Sequence, residues 1–221
     1  RIEIFFLKAI TQIKKLEINM ESKFDKKLFA GKDPLTIFRR WLEEARKTEI
    51  NDPDAIALAT VDKEGLPNVR MVLLRIIEED GFVFFTNYGS KKAEEAFHSN
   101  KVAFNLHWKS LRRQIRVRGY VEKENGIIAD KYFSERQMGS KIAAWASKQS
   151  QTLLDREKLI ERWQSYQNEF KENVERPDFW GGIRIKPIQI EFWADGQYRL
   201  HDRFVWERQA GEKVWTVRRL F

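Results

Sequence analysis

Near its C-terminus the chain reads Arg199-Leu200-His201-Asp202-Arg203, inside an alternating run from Tyr198 to Trp206 that has the pattern of a β-strand. Successive side chains on a strand point to opposite faces, so Arg199, His201 and Arg203 are expected on one face and Leu200, Phe204 and Trp206 on the other. Three potential cations in a row repel one another unless an anion lies among them. A solvated basic edge strand accounts for the run. The apolar opposite face instead predicts packing on a core, and a packed strand with a cationic face suits an anion, most commonly phosphate.

Five other stretches carry donors or cations. In Val69–Ile76, Arg70 shares a face with Val72 and Leu74, and Arg75 shares the other with Met71 and Leu73. Either arginine can snorkel to water from a strand end, or use its rigid fork on a phosphate. Asn87-Tyr88-Gly89-Ser90-Lys91-Lys92 joins a strand to a helix start, where free N–H groups and the positive dipole end favour anions; a solvated lysine-bearing loop has the same composition. Arg112, Gln114, Arg116 and Arg118 alternate onto one face, the arginines as expected for a solvated exterior, with Gln114 able to donate and accept towards a heterocycle edge. Tyr132 and Arg136 are four apart on a helical stretch, with Ser140 one turn further, and Gln149-Ser150 lies in a polar segment after Trp145. No Ser-His-Asp order, paired carboxylates or Walker-type loop is present. Many donors without a nucleophile or general base suit a protein that positions a cofactor, and two phosphate-type sites suit one phosphorylated cofactor and one phosphorylated substrate.

The elements that must hold these groups can be read in order. Asp33-Pro34 opens a helix whose Leu35, Phe38, Trp41, Leu42 and Ala45 form one apolar stripe. A β-meander follows (Ala55–Val61, Val69–Ile77, Phe82–Thr86), then a short helix Lys91–His98 capped by Ser90 and closed by Asn100. Strands are expected at Val102–Trp108 and Arg112–Glu122, and helices at Asp130–Arg136 and Ile142–Ala146. Thr152-x-x-Asp155 resembles a capping box before a helix carrying Leu159, Trp163, Tyr166 and Phe170. Strands Gly182–Ile185, Ile188–Trp193, Tyr198–Trp206 and Val214–Arg218 close the chain. The fold class is mainly β with flanking helices (α+β), an antiparallel barrel or sheet in one domain over residues 33–221. Residues 1–32 form an extension, of which 1–19 read as an upstream or fragment-boundary segment.

Among 221 residues, 42% are hydrophobic, with eight Trp and sixteen Phe, so a substantial core is available. The net charge of +8 fits phosphorylated ligands, nucleic acid or an anionic surface, but the cations are interleaved with acids, which disfavours nucleic acid. No cysteine is present, and the three histidines (His98, His107, His201) show no metal-ligand spacing, so thiolate chemistry and Cys-based metal sites are excluded. No stretch approaches transmembrane length, and a cytoplasmic location is expected.

Together these segments resemble the pyridoxamine 5'-phosphate oxidase family of FMN enzymes, from about Asp33 to Leu220. The resemblance rests on Arg70-Met-Val-Leu-Leu-Arg75, Phe84-Phe85-Thr86-Asn87-Tyr88-Gly89-Ser90-Lys91-Lys92, Arg113-Gln114, Trp145-Ala-Ser-Lys-Gln149-Ser150, Phe179-Trp180-Gly181-Gly182, Ile190-Glu191-Phe192-Trp193 and Arg199-Leu-His-Asp-Arg203. It implies an FMN-binding split β-barrel, a homodimer with FMN between subunits, and oxidation of pyridoxamine and pyridoxine 5'-phosphates to pyridoxal 5'-phosphate. Hydride would pass from the substrate C4' to flavin N5, with oxygen as acceptor, giving hydrogen peroxide and, from the amine, ammonia.

By the same resemblance, Arg70, Lys91, Lys92 and Thr86 would bind the FMN phosphate, within a cofactor-binding set that also holds Met71, Val72, Leu73, Leu74, Arg75 and Phe85. Gln114, Gln149, Ser150, Trp193 and Arg203 would contact the rest of the flavin. Arg75, Tyr132, Arg136 and Ser140 would hold the substrate phosphate, while Arg199, Leu200 and His201 would lie against the substrate, Arg199 and His201 as the catalytic pair. No metal is implied. The sequence departs from the family pattern in having Arg75 for Lys, Phe85 for Tyr and Lys91 for Arg, and no Arg-x-x-Tyr lid segment is recognisable in Met20–Lys32.

Overall fold

A computed structural model describes residues 28–170 and 173–221; the expected extension and most of the lid segment therefore lie outside the described residues. Helix α1 (Pro34–Thr48) begins as its sequence dictates: the Asp33 carboxylate accepts the Thr36 N–H at 2.9 Å and Pro34 occupies the first turn. Its stripe, Leu35, Ile37, Phe38, Trp41, Leu42 and Ala45, is almost wholly buried. Each large side chain in it contributes about 1.5–3 kcal/mol by leaving water. Trp41 Nε1 also donates to the Leu28 carbonyl at 2.9 Å, so the ring is buried with its polar atom satisfied.

Eight antiparallel strands follow: β1 (Ala55–Val61), β2 (Pro67–Ile77), β3 (Phe82–Asn87), β4 (Lys101–Trp108), β5 (Arg113–Glu124), β6 (Trp180–Ala194), β7 (Asp202–Glu207) and β8 (Thr216–Leu220). Their order is β3-β2-β1-β4-β5-β6-β7-β8, and an additional β3–β6 pairing closes the first six into a barrel. Strand β6 makes this possible. Its first half, Trp180–Ile185, pairs with β3, and its second half, Gln189–Ala194, pairs with β7. Pro187 stands between the two halves, where a missing N–H is tolerated because that edge is changing partners. The expected strands Gly182–Ile185 and Ile188–Trp193 are thus one strand, its continuity supplied by β5 on the other edge.

Three helical segments separate β5 from β6: α3 (Ile127–Ser134), α4 (Met138–Ala146) and α5 (Arg156–Phe170), after α2 (Lys91–Ser99) has joined β3 to β4. Phe133, Ile142, Val174 and Trp180 form a second core under this layer. Asn100 closes α2 with φ 53°, as expected of a left-handed terminal residue. Ser90 occupies the cap position, but its hydroxyl donates to the Asn87 carbonyl rather than accepting from the helix.

Four expectations need correction. No capping box opens α5: Asp155 is the cap, its Oδ1 accepting the Glu157 N–H at 2.9 Å, so the acid lies before the helix rather than inside its first turn. Helix α3 ends at Ser134, so Arg136 lies in a linker and Tyr132, Arg136 and Ser140 do not share one helix face. The run from Tyr198 is not strand at its start: residues 197–199 form a 3-10 turn, with Tyr198 at φ 54° and Arg199 at φ 65°. Only Asp202–Glu207 is strand, so Arg199 and His201 leave the alternation on which a shared face was expected. Similarly, Arg112 (φ 52°) precedes β5, and the face expected there is made by Gln114, Arg116 and Arg118.

Candidate active site

A cavity of about 390 Å³ opens between β2, β3 and the helical layer, lined by Met71, Val72, Leu73, Arg75, Phe85, Thr86, Lys92, Tyr132, Arg136, Gln137, Ser140 and Gln149. Its floor follows from the barrel. The β2–β3 ladder shifts register between Leu74 and Ile76, so Arg75 is the extra residue of a bulge and is released from strict alternation. Arg75 Nη1 pairs with the Asp54 carboxylate at 2.8 Å. The β1–β2 register sets Ala55 opposite Leu73 and so Asp54 opposite Leu74, one residue from the bulged Arg75. On β3, the Phe85 ring stacks on Tyr132 (centroids 4.0 Å apart) and lies parallel to Trp180 (5.5 Å), whose ring is 6.3 Å from that of Tyr132. The stack anchors α3 to the barrel wall.

Beside it, Lys92 Nζ donates to Thr86 Oγ1 (3.0 Å), Ser90 Oγ (3.1 Å) and Gln149 Oε1 (3.1 Å). All three partners are neutral. Burial and the nearby Arg70 charge push the Lys92 pKa down to about 8. Thr86 also hydrogen-bonds Gln149 at 3.2 Å, and Asn87 Nδ2 donates to the Ser147 carbonyl at 3.3 Å, so the segment after α4 is tied onto the β3–α2 loop. Ser150 follows in a left-handed conformation, φ 69°.

Across the cavity, Arg136 lies over the Trp180 ring at 4.8 Å and donates from Nη2 to the Ser140 carbonyl at 3.1 Å. Its Nε is buried without a hydrogen-bond partner. Burial, reinforced by Arg75 against the opposing influence of Tyr132, lowers its pKa. Arg75, Lys92 and Arg136 therefore converge on one cavity whose described lining holds no acid, Asp54 meeting Arg75 from outside that lining. An orphaned buried donor together with a destabilised cation fits an anionic ligand, phosphate above all.

The remaining expected site residues are placed elsewhere. Arg70 does not line the cavity: its guanidinium reaches Thr60 Oγ1 (2.5 Å), the Leu58 carbonyl (3.3 Å) and Glu95 (3.2 Å). The same buried carboxylate accepts from Thr60 at 2.5 Å and lies 3.8 Å from Lys91 Nζ, so Glu95 anchors two of the expected cofactor cations. Leu74 is core. Gln114, Trp193 and Arg203 form a row across β5, β6 and β7, since Gln114 pairs with Trp193 and Trp193 with Arg203. Arg203 is held by Glu191 at 2.8 Å and by the Phe221 carbonyl at 2.7 Å. The His201 ring lies against Trp193, centroids 4.6 Å apart, which restores it to this row although it is not on the strand. Arg199 and Leu200 are exposed beside it. A single chain thus presents two half-sites, a phosphate-type cavity and an aromatic-cationic row, and no residue of the row lines the cavity.

Glu95 and Gln137 were not singled out from sequence, and Ser90 and Glu191 were named there only as a helix cap and as part of a motif. Glu95 had a legible signal, lying four residues after Lys91 on a helix face; the rest depend on contacts between distant segments.

The fold and site define the class: an antiparallel split barrel with a helical layer over a cationic, phosphate-type cleft. Comparison with known proteins narrows this. The pyridoxamine 5'-phosphate oxidase family profile matches residues 42–162, and that of the pyridoxine 5'-phosphate oxidase C-terminal dimerisation region matches residues 180–221. A pyridoxine/pyridoxamine 5'-phosphate oxidase of Ruegeria sp. is 58% identical over 193 residues, covering 87% of this chain and 96% of the relative. One from Brucella canis is 50% identical over 190 residues, covering 86% and 94%. PhzG from Burkholderia lata, solved with tetrahydrophenazine-1-carboxylic acid, superposes with a TM-score of 0.82 at 28% identity, covering 89% of this chain and 96% of that one. A pyridoxamine 5'-phosphate oxidase-related FMN-binding protein from Nostoc punctiforme (TM-score 0.69, 14% identity, covering 87% and 100%) shares the fold. The chain belongs to the pyridoxamine 5'-phosphate oxidase family.

Proposed function

We propose that this chain is an FMN-dependent oxidase that converts pyridoxamine 5'-phosphate and pyridoxine 5'-phosphate to pyridoxal 5'-phosphate. The observation that carries the reading is the cavity where Arg75, Lys92 and Arg136 converge, with a buried Arg136 Nε lacking an acceptor. Bound FMN supplies the two-electron acceptor for the substrate C4' hydrogen and is returned to its oxidised form by dioxygen, yielding hydrogen peroxide and, from the amine, ammonia.

The chain's own residues supply binding and orientation. Lys92, Thr86 and Gln149 are already linked to one another and fit the cofactor phosphate, with Arg70 and Lys91 held nearby by Glu95. Arg75, Tyr132, Arg136 and Ser140 fit the substrate phosphate: a guanidinium fork, a phenol and a hydroxyl facing one cavity. Met71, Val72 and Leu73 border the same space, and Phe85, lacking a hydroxyl, contributes only its ring.

Gln114, Trp193, Arg203 and Ser150 are assigned to the flavin, and Arg199, Leu200 and His201 to the substrate. Because the row they form lies outside the cavity, a complete cleft joins the cavity of one subunit to the row of another. The match to the dimerisation region over residues 180–221 supports a homodimer with FMN at its interface. Among the described residues no helix is long and apolar enough to cross a membrane, and we place the enzyme in the cytoplasm. Residues 33–221 act as one FMN-binding domain.

The test is an anaerobic spectrum. Flavin absorbance that bleaches on adding pyridoxamine 5'-phosphate and returns with air is the expected result. Flavin that stays oxidised with both vitamers would refute the substrate and leave a split-barrel flavin protein of another specificity or a pyridoxal phosphate carrier. Protein that takes up no FMN would refute the whole reading.

A further inference from the structure

At the end of β6 the Asp195 carboxylate is shared between two partners. Its Oδ1 lies 3.2 Å from His201 Nδ1, and its Oδ2 lies 2.5 Å from Arg112 Nη2. The Asp195 N–H also donates to the Arg112 carbonyl at 3.0 Å, so the turn before β5 and the end of β6 are tied together by backbone and side chain. Trp193 supports the imidazole from its face. Both Asp195 and His201 are largely shielded, with 19% and 27% of their side chains exposed. Among the described residues the polar contacts of this imidazole are at Nδ1, which accepts the Gly196 N–H at 3.2 Å and lies 3.2 Å from the Asp195 carboxylate, so the Nε2 edge is left for a ligand.

We propose that Asp195 is a positioning residue that fixes the orientation and tautomer of His201, so that Nε2 is presented to the substrate as a hydrogen-bond acceptor. The inference rests on the assignment of His201 to the substrate. Two neighbours compete at Nδ1. The Gly196 N–H, 3.2 Å away, requires a lone pair there, whereas the Asp195 carboxylate requires a proton. A hydrogen bond to an ionised acceptor is roughly twice as strong as one between neutral groups, so the carboxylate wins and the neutral ring carries its proton on Nδ1. Arg112 stops the carboxylate rotating away. The lone pair at Nε2 then accepts from a hydroxyl or amine donor of the substrate. Removing the carboxylate hands Nδ1 to the Gly196 amide and moves the proton to Nε2, turning the acceptor into a donor.

The experiment uses FMN-loaded enzyme labelled with 15N-histidine; the three histidines allow His201 to be assigned by difference against His201→Gln. Wild type is expected to show the Nδ1–H tautomer and Asp195→Ala the Nε2–H tautomer. Steady-state turnover of pyridoxamine 5'-phosphate is expected to lose roughly ten-fold or more in kcat, the loss of one hydrogen bond to a charged group, with KM changed less than about three-fold. Asp195→Asn, which retains an acceptor and the shape, should recover part of the loss and covers the case in which the alanine variant folds poorly. An Nε2–H tautomer in wild type, an unchanged tautomer in Asp195→Ala, or an unaltered kcat would each overturn the proposal. Because the tautomer is read without turnover, failure of the oxidase reading itself shows separately, as wild-type enzyme that does not oxidise the vitamer.

Discussion

Raising the pH from 7 to 9 should weaken FMN binding to the apoprotein through one residue, Lys92. Its ammonium is held in a partly buried site by three neutral oxygens, and burial with the neighbouring Arg70 charge sets its pKa at about 8. A phosphate monoester has its second pKa near 6 and is already a dianion across this range, so the ligand's charge does not change. If the phosphate binds the protonated lysine, apparent Kd scales as one plus the ratio of neutral to charged Lys92. That factor is about 1.1 at pH 7 and about 11 at pH 9, so affinity should fall roughly ten-fold as Lys92 deprotonates. Flavin fluorescence quenching titrations at pH 7, 8 and 9 measure this directly. Riboflavin, which lacks the phosphate, and the Lys92→Met variant should each show weak, pH-independent binding. A constant Kd for FMN between pH 7 and 9, or the same slope with riboflavin, would refute the argument that Lys92 is the titrating phosphate ligand.

Arg136→Ala should raise KM for pyridoxamine 5'-phosphate roughly ten- to hundred-fold while leaving FMN content unchanged, because it removes charged donors from the substrate end of the cavity; steady-state kinetics with a flavin assay check both. Arg136→Lys should not restore the loss, since lysine has neither the Nε donor nor the planar fork that stacks on Trp180. Glu95→Gln should destabilise the fold by about 1–3 kcal/mol in urea titrations, leaving Arg70 against a neutral partner in a shielded site. Burial raises the Glu95 pKa, but hydrogen bonds from Thr60 and Asn68 and the charges of Arg70 and Lys91 outweigh it, so the folded value lies below the usual 4.5. Its contribution is therefore present above about pH 4.5 and lost as pH falls through the lower folded value. The glutamine variant should lack that part of the acid-side stability slope.

Local rules carried most of the element pattern. The Asp33-Pro34 start of α1 and its buried stripe follow from nearest-neighbour chemistry, and both were legible in the sequence. So were the cationic residues of the site, because arginines within apolar strands and lysines at a helix start are visible without a structure. Where alternation was extended through Tyr198 and Arg199, the sequence misled: left-handed residues break the strand, and the turn they form brings the Leu200 carbonyl to where a side chain on Gly196 would lie. The bulge at Arg75 was equally hidden, since it arises from how β2 meets β3.

What the sequence by itself determined was which groups are available: the guanidinium, ammonium and amide donors, the aromatic faces, and a strand-rich chain to carry them. Tertiary structure decided which of them share a space. It sent Arg70 to Glu95 while leaving Lys92 among neutral oxygens, gathered Tyr132, Arg136 and Ser140 from two helices and a linker, and set Asp195 against His201. The reason is physical. Backbone geometry acts over a few residues, whereas burial, charge pairing and pKa depend on through-space neighbours tens of residues apart, fixed only when β3 and β6 close the barrel.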